Sequence, residues 1–333
     1  MTASEGHGHG RGGAGSGGAA TAGGDACGGA IEFWHRDEQR LLREEIYGER
    51  WLRWTYGSVA GRLALWLLVR RRWFSKWYGW RMSRPASRAK VRPFIDEYGL
   101  DEGEFAEPAD SFPHFNAFFA RRLKPEARPL AGDESTLVLP ADGRHLLVPR
   151  LDTGRQFYAK GEPFDVESLL GDAELGRRFA DGSMLISRLC PVDYHRFHFP
   201  CGGRLEQIRR VGGPLYSVNP LALRGRLDIL WSNAREISLL HHPLAGLVVL
   251  AEIGATCVGS IRQSARPGQT VARGQEKGWF EFGGSCCITL FQRETVLWDE
   301  DLVQWSSRGI EVYGRMGERC GQLRAPAPAD PAV

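Results

Sequence analysis

The chain has 333 residues, 42% of them hydrophobic and 25% charged, which suits a folded protein with one large domain or two modest ones. A formal net charge of +3 is too small to argue for nucleic acid by itself, so the placement of the positive charge carries more information than its total. The seven cysteines form no CxxC pair and no spaced Cys/His quartet, which points to free thiols in a reducing compartment and away from structural zinc.

Residues 1–30 are rich in Gly and Ala, lack a signal-peptide pattern and bury too little to order themselves, so a disordered tail is expected there. From Ile31 to Glu49 the chain is charged and of helical composition. Between Arg50 and Ile95 there is no Asp or Glu, while twelve Arg and Lys residues alternate with Trp51, Trp54, Trp66, Trp73, Trp77 and Trp80. The apolar run Leu63–Val69 is far shorter than the roughly 20 residues of a spanning helix. Indole and guanidinium together suit the headgroup zone of a bilayer, so a helical, membrane-associating segment is expected over 31–107. A buried helical pair with a basic face, or nucleic-acid binding by stacking and charge, are the other readings of this pattern.

After Pro108 short apolar runs are broken by Gly and Pro. Thr136–Pro140, Ser183–Arg188, Leu247–Ile253 and Cys286–Phe291 read as strands, and Asn116–Arg122 and Val166–Leu170 as helices. Turns are expected at Ala141-Asp142-Gly143, Cys201-Gly202-Gly203 and Pro267-Gly268. The fold class is therefore α+β, with a mainly antiparallel β core behind the N-terminal helical segment. The core domain spans 108–324, and residues 325–333 form a Pro/Ala tail.

Four segments carry candidate chemistry. LPADGR places Asp142 in a tight turn, although Asp-Gly is also ordinary turn chemistry. LCPVDYHRFHFP holds His195 and His198, bracketed by Pro191 and Pro200. Two histidines with different neighbours suit two separate proton transfers; a packed core pair is the alternative, and no carboxylate or thiol stands at a metal-site spacing. YSVNPLAL is a loop with a Pro-fixed turn. FEFGGSCCITLF sets two glycines before Ser285 and a strand, which allows the Gly284 carbonyl to bend toward the Ser285 hydroxyl or equally makes a plain turn.

In this order the segments resemble the phosphatidylserine decarboxylase family. The likeness includes FNAFFARRLKPEARPL (115–130), ADG, Lys160-Gly161 with SLLG, DYHRFHFP, YSVNP, VGSI, PGQTVARGQEKGWFEFGGS (267–285) and RMGE (315–318). By that resemblance Ser285 matches the serine that becomes a pyruvoyl group, with cleavage between Gly284 and Ser285. Asp142 and His198 match the acid and base that activate it, and His195 matches the histidine assigned to decarboxylation. The chain departs from the family in having Cys286 where Thr commonly follows the cleaved serine. That departure implies slower processing if the hydroxyl matters, and it opens an N-to-S acyl shift at a neighbouring bond.

The resemblance implies conversion of phosphatidylserine in an anionic membrane to phosphatidylethanolamine. The implied cofactor is pyruvate, held covalently as the pyruvoyl group, with no metal and no nucleic acid. It implies two chains from one precursor, large N-terminal and small C-terminal, and is compatible with a homo-oligomer. The expected location is the periphery of a bacterial cell membrane, on its cytoplasmic face. An uncleaved lipid-binding relative and a serine hydrolase using Asp142, His198 and Ser285 are the alternatives.

Overall fold

A computed structural model describes residues 31–44, 72–151, 164–218, 222–223, 226–255, 261–281 and 285–325, with backbone alone over 72–76. Both tails (1–30 and 326–333), Trp51, Trp54 and Trp66, Lys160-Gly161, most of VGSI, and Gly284 lie outside the described residues.

The chain opens with β1 (Glu32–His35) and β2 (Arg40–Arg43), followed by α1 (Arg72–Met82), α2 (Val91–Tyr98) and α3 (Phe115–Phe119). Next come β3 (Thr136–Val138), β4 (Gly143–Val148), α4 (Val166–Leu170) and α5 (Ala173–Phe179). The middle of the chain supplies β5 (Ser183–Leu189), β6 (Arg196–His198), β7 (Gly203–Val211), α6 (Ile229–Ser232), β8 (Arg235–His242) and β9 (Gly246–Ile253). Short strands β10 (Ile261–Gln263), β11 (Thr270–Val271) and β12 (Glu276–Phe280) precede β13 (Ser285–Phe291). The described chain closes with β14 (Val296–Trp298), α7 (Glu300–Ser306), β15 (Glu311–Gly314) and β16 (Arg319–Leu323).

Ten strands form one sheet in the order β11-β7-β8-β9-β13-β5-β4-β15-β1-β2, antiparallel except for the β1–β15 pair. Two three-stranded sheets, β10-β12-β6 and β14-β16-β3, complete the β core. The architecture is α+β; the four anticipated strands and the helix at 166–170 are present, and the helix anticipated over 116–122 runs from Phe115 to Phe119. Over 32–43, however, the helical composition of the N-terminal stretch is overridden, and these residues form a hairpin. Its first strand finds a free edge at β15, with Trp34 opposite Val312, and the Trp34 indole stacks on Trp305 at 4.4 Å. Pairing with a distant strand outweighs local propensity here.

β13 lies in the middle of the large sheet, in register with β5 from Ser285↔Leu189 to Phe291↔Ser183 and with β9 on its other side. All seven of its residues are buried, as in a strand covered on both faces. Alternation sends Cys286, Ile288 and Leu290 into the core under α4, α5 and α6. Ser285 and Cys287 face the other way, toward the small sheet that carries β6 and β12. Gly143 lets β4 close on β5, because a Cβ there would stand 2.5 Å from the Arg188 carbonyl oxygen.

A helical cap stands apart from the sheets' own cores. Met82, Val91, Phe94, Phe105, Phe112, Phe115 and Phe118 pack together, with edge-to-face ring pairs such as Phe94–Phe115 at 5.3 Å and Phe112–Phe118 at 5.7 Å. On its surface Trp77 and Trp80 are 46% and 55% exposed, with Arg84 set over the Trp80 ring at 4.1 Å. Among the described residues, no helix is long and apolar enough to cross a membrane.

A buried ionic cluster ties three remote segments. Arg188 of β5 bonds Glu44, just after the hairpin, at 2.7 Å and Glu311 of β15 at 2.5 Å. Burial alone would raise the Glu44 carboxyl, but the charge and hydrogen bonds of Arg188 outweigh it and hold it down at about 2.

Candidate active site

The segments that carry the four site residues named from the sequence meet around one small apolar cluster. Ala141, Leu189, Phe197, Phe280 and Cys287 pack together, joined by Ile261. Asp142 follows Ala141, His198 follows Phe197, and Ser285 lies opposite Leu189 and two residues before Cys287. His195 joins them through its carbonyl, which accepts the Phe280 N–H at 3.0 Å. The His198 N–H donates to the Pro140 carbonyl at 2.7 Å, pinning the end of β6 to the Asp142 turn.

Ser285 is fully buried at the head of β13, and its Oγ has no hydrogen-bond partner among the described residues. The same holds for Nδ1 of His198 and Nε2 of His195. Buried polar atoms are ordinarily paired, and orphans such as these mark a reactive or ligand-receiving site. Burial lowers the His198 imidazole to about 4, against weaker opposing pulls from Glu276 and Asp142, so it is a neutral base at pH 7. His195 is lowered to about 3, also by burial. A carbonyl oxygen can only accept, so the 2.9 Å contact from His195 Nδ1 to the Asp193 carbonyl fixes the proton on Nδ1. Nε2 therefore carries the open lone pair. The Phe119 ring of the helical cap lies against this imidazole, with centroids 3.8 Å apart and planes inclined at 36°.

Asp142 is 2% exposed and is engaged by Arg128 and by the Met316 N–H at 2.8 Å. Arg128 also bonds Glu104. No hydrogen bond joins Asp142 to His198 among the described residues; the carboxylate acts on that imidazole through its charge. Arg128 was not singled out from the sequence, although it lies within the 115–130 motif. Cys286 points away from Ser285 into the opposite core, and burial pushes its thiol well up, so it stays protonated and is a poor nucleophile.

A second buried pair lies beside the site. Lys277 of β12 bonds Glu252 of β9 at 2.7 Å and Gln263 at 2.9 Å, and Glu252 is the cross-strand partner of Cys287. Its charge is fully engaged. On the cap side a cavity of about 410 Å³ is lined by Asp142, Asp193, Tyr194, Arg121 and Arg128, among others.

A buried serine at the head of a central strand, two buried neutral imidazoles and an arginine-clamped carboxylate on neighbouring segments are the residue types of an enzyme that works by nucleophile and acid–base chemistry. The family model for phosphatidylserine decarboxylase matches residues 115–322, and the chain belongs to that family. It is 37% identical over 291 residues to the phosphatidylserine decarboxylase proenzyme of Fusobacterium nucleatum, covering 87% of this chain and 97% of that one. The proenzyme of the same name from Clostridium novyi is 38% identical over 87% of this chain and 99% of its own. That of Chlamydia trachomatis is 39% identical over 86% and 96%.

Proposed function

We propose that this protein decarboxylates phosphatidylserine to phosphatidylethanolamine, using a pyruvoyl group made from Ser285 when the chain cuts itself after Gly284. The observation that carries this reading is the buried, unpartnered Ser285 Oγ at the head of β13, in a core that also holds the open Nδ1 of neutral His198. The relatives' description as proenzymes supports it.

In the first stage His198 takes the Ser285 hydroxyl proton, and the Asp142 charge, held in place by Arg128 and Met316, stabilises the imidazolium that forms. The bond from Oγ to the Gly284 carbonyl carbon forms as the Gly284–Ser285 amide bond breaks and its nitrogen takes a proton. His198, neutral again after giving that proton, takes the Ser285 Cα proton, and elimination releases Gly284 as a carboxylate and leaves a dehydroalanine at 285. Water hydrolyses it to the ketone with loss of ammonia. The attack is intramolecular, so proximity supplies much of the acceleration.

Once formed, that ketone supplies an electrophile for a substrate amine and an electron sink for the bond to the departing carboxylate. His195 takes a proton at Nε2, the position left open by its Nδ1–H on Asp193, from the substrate ammonium as the amine is freed to attack. It returns that proton to the substrate carbon after the carboxylate has left. Phe119 and the surrounding burial keep water from that imidazole.

The protein would do this at the periphery of an anionic membrane. The acid-free stretch 50–95 and the exposed indoles of Trp77 and Trp80 support that placement. The test is intact-mass analysis under denaturing conditions, together with carbon dioxide release from phosphatidylserine vesicles. Wild type should give two fragments, the smaller with a ketone-bearing terminus, whereas Ser285→Ala should stay whole and inactive. An uncut active protein, or a free-serine terminus on the small fragment, would rule the reading out.

A further inference from the structure

Arg121 follows α3 at the junction of the helical cap and the β core, and it is 5% exposed. Its Nε and Nη1 have no hydrogen-bond partner among the described residues, and Nη2 makes only a 3.5 Å contact to the Val192 carbonyl. The rings of Phe118 and Phe105 lie 5.0 and 5.1 Å from its Cζ, fixing the guanidinium plane without satisfying its donors. The acids that share its cavity are committed elsewhere. Asp142 and Glu104 are bonded by Arg128, Asp193 by Arg144 at 2.7 Å, and Asp101 caps the Gly103 N–H. Burial lowers Arg121 to about 10, so it remains charged at neutral pH.

A buried, charged guanidinium with open donors is costly unless an anion completes it. Arg121 borders the cavity of about 410 Å³, and its charge is felt at His195. We infer that Arg121 is the receptor for the phosphodiester of the substrate headgroup, a specificity-determining residue that positions the serine moiety toward His195. This rests on the reading of the substrate as phosphatidylserine.

The phosphodiester is favoured over the carboxylate on energetic grounds. An arginine on the departing carboxylate would stabilise the ground state and be lost in the transition state, whereas one on the unreacting phosphate leaves the reacting bond free. The open Nε and Nη1 lie on different edges of the guanidinium, and each can donate to one anionic oxygen.

The experiment uses the full-length Ser285→Ala protein, which cannot process, so its outcome is independent of whether decarboxylation occurs. Glycerophosphoethanolamine, glycerophosphoserine and inorganic phosphate are titrated calorimetrically. Both glycerol esters should bind, and Arg121→Gln should weaken both by about ten- to a hundredfold, with Arg121→Lys in between. The same substitutions in the Ser285 background report folding by self-cleavage. Loss confined to glycerophosphoserine would assign Arg121 to the carboxylate and overturn the inference. Phosphate binding tighter than either ester, or no binding by the parent protein at millimolar ester, would overturn it as well. If Arg121→Gln fails to fold, Arg121→Lys decides: unchanged binding of the two esters refutes a phosphate contact through the guanidinium donors.

Discussion

Lowering the pH from 7.5 to 5 should destabilise this protein steeply, because three fully or almost fully buried histidines are held neutral. Burial brings His198 to about 4, and His195 and His145 to about 3, from an ordinary value of 6.5. Their folded values lie below their unfolded one, so between these limits the unfolded chain binds the protons. Stability is fully present above 6.5 and drains away as pH falls. At pH 5 each imidazole withholds about 2 kcal/mol, so the three together cost about 6 kcal/mol. Against a typical total of about 5–15 kcal/mol, that is enough to bring the fold close to its midpoint. Glu44 does not offset this, since its lowered carboxyl matters only below its ordinary value of 4.5. The assay is urea unfolding of Ser285→Ala, which keeps the chain in one piece, followed by tryptophan fluorescence across pH 5–7.5. Below pH 6 the slope should correspond to about three protons taken up on unfolding. His145, which bonds Ser187 and the Gly314 carbonyl, offers a separable contribution: His145→Gln should remove about one proton from that slope. A stability that stays flat from pH 7 to 5 would refute the neutral-core argument.

His198→Ala should leave the chain uncut, while His195→Ala should be cut yet release little carbon dioxide; normal processing and turnover in both would refute the division of roles. Glu252→Gln, which strands the buried Lys277 ammonium, should cost about 3–5 kcal/mol in urea unfolding, and Glu252→Gln with Lys277→Met should recover most of it. Simple additivity of the two changes would show that the pair is not coupled. Replacing the exposed Trp77 and Trp80 with Ala should make vesicle co-sedimentation more salt-labile, since charge attraction is screened and indole insertion is not; unchanged binding at near-molar salt would show that these indoles do not insert.

The strands with the strongest apolar runs were legible from the sequence, because β5, β9 and β13 are continuous buried stretches bounded by turns. The β1–β2 hairpin was not. Its strands are four residues each, and what makes them extended is β15, which lies more than 260 residues away in the chain. For the site, residue types alone left Asp142, His195, His198 and Ser285 each with a mundane reading, and the ordered motifs singled them out. Their mutual placement depends on side chains such as Leu189 and Phe280 that no local pattern marks as neighbours. The clamp of Arg128 on Asp142 and the open guanidinium of Arg121 are likewise properties of packing, since both arginines stand in a stretch whose other basic residues are exposed or half-exposed.

The central position of β13 also sets a schedule for biosynthesis. The strands β4 and β5 leave the ribosome early, and β7, β8 and β9 follow, but no ladder joins β5 to β9 until β13 arrives. Until then the nascent chain carries an open seam between two buried strand edges, the kind of edge that pairs with other chains if left waiting. The serine rides at the head of the strand that closes the seam. On the proposed role of Ser285, a chain interrupted before it can neither complete its sheet nor begin to cut, so sheet closure and scission depend on the arrival of the same strand.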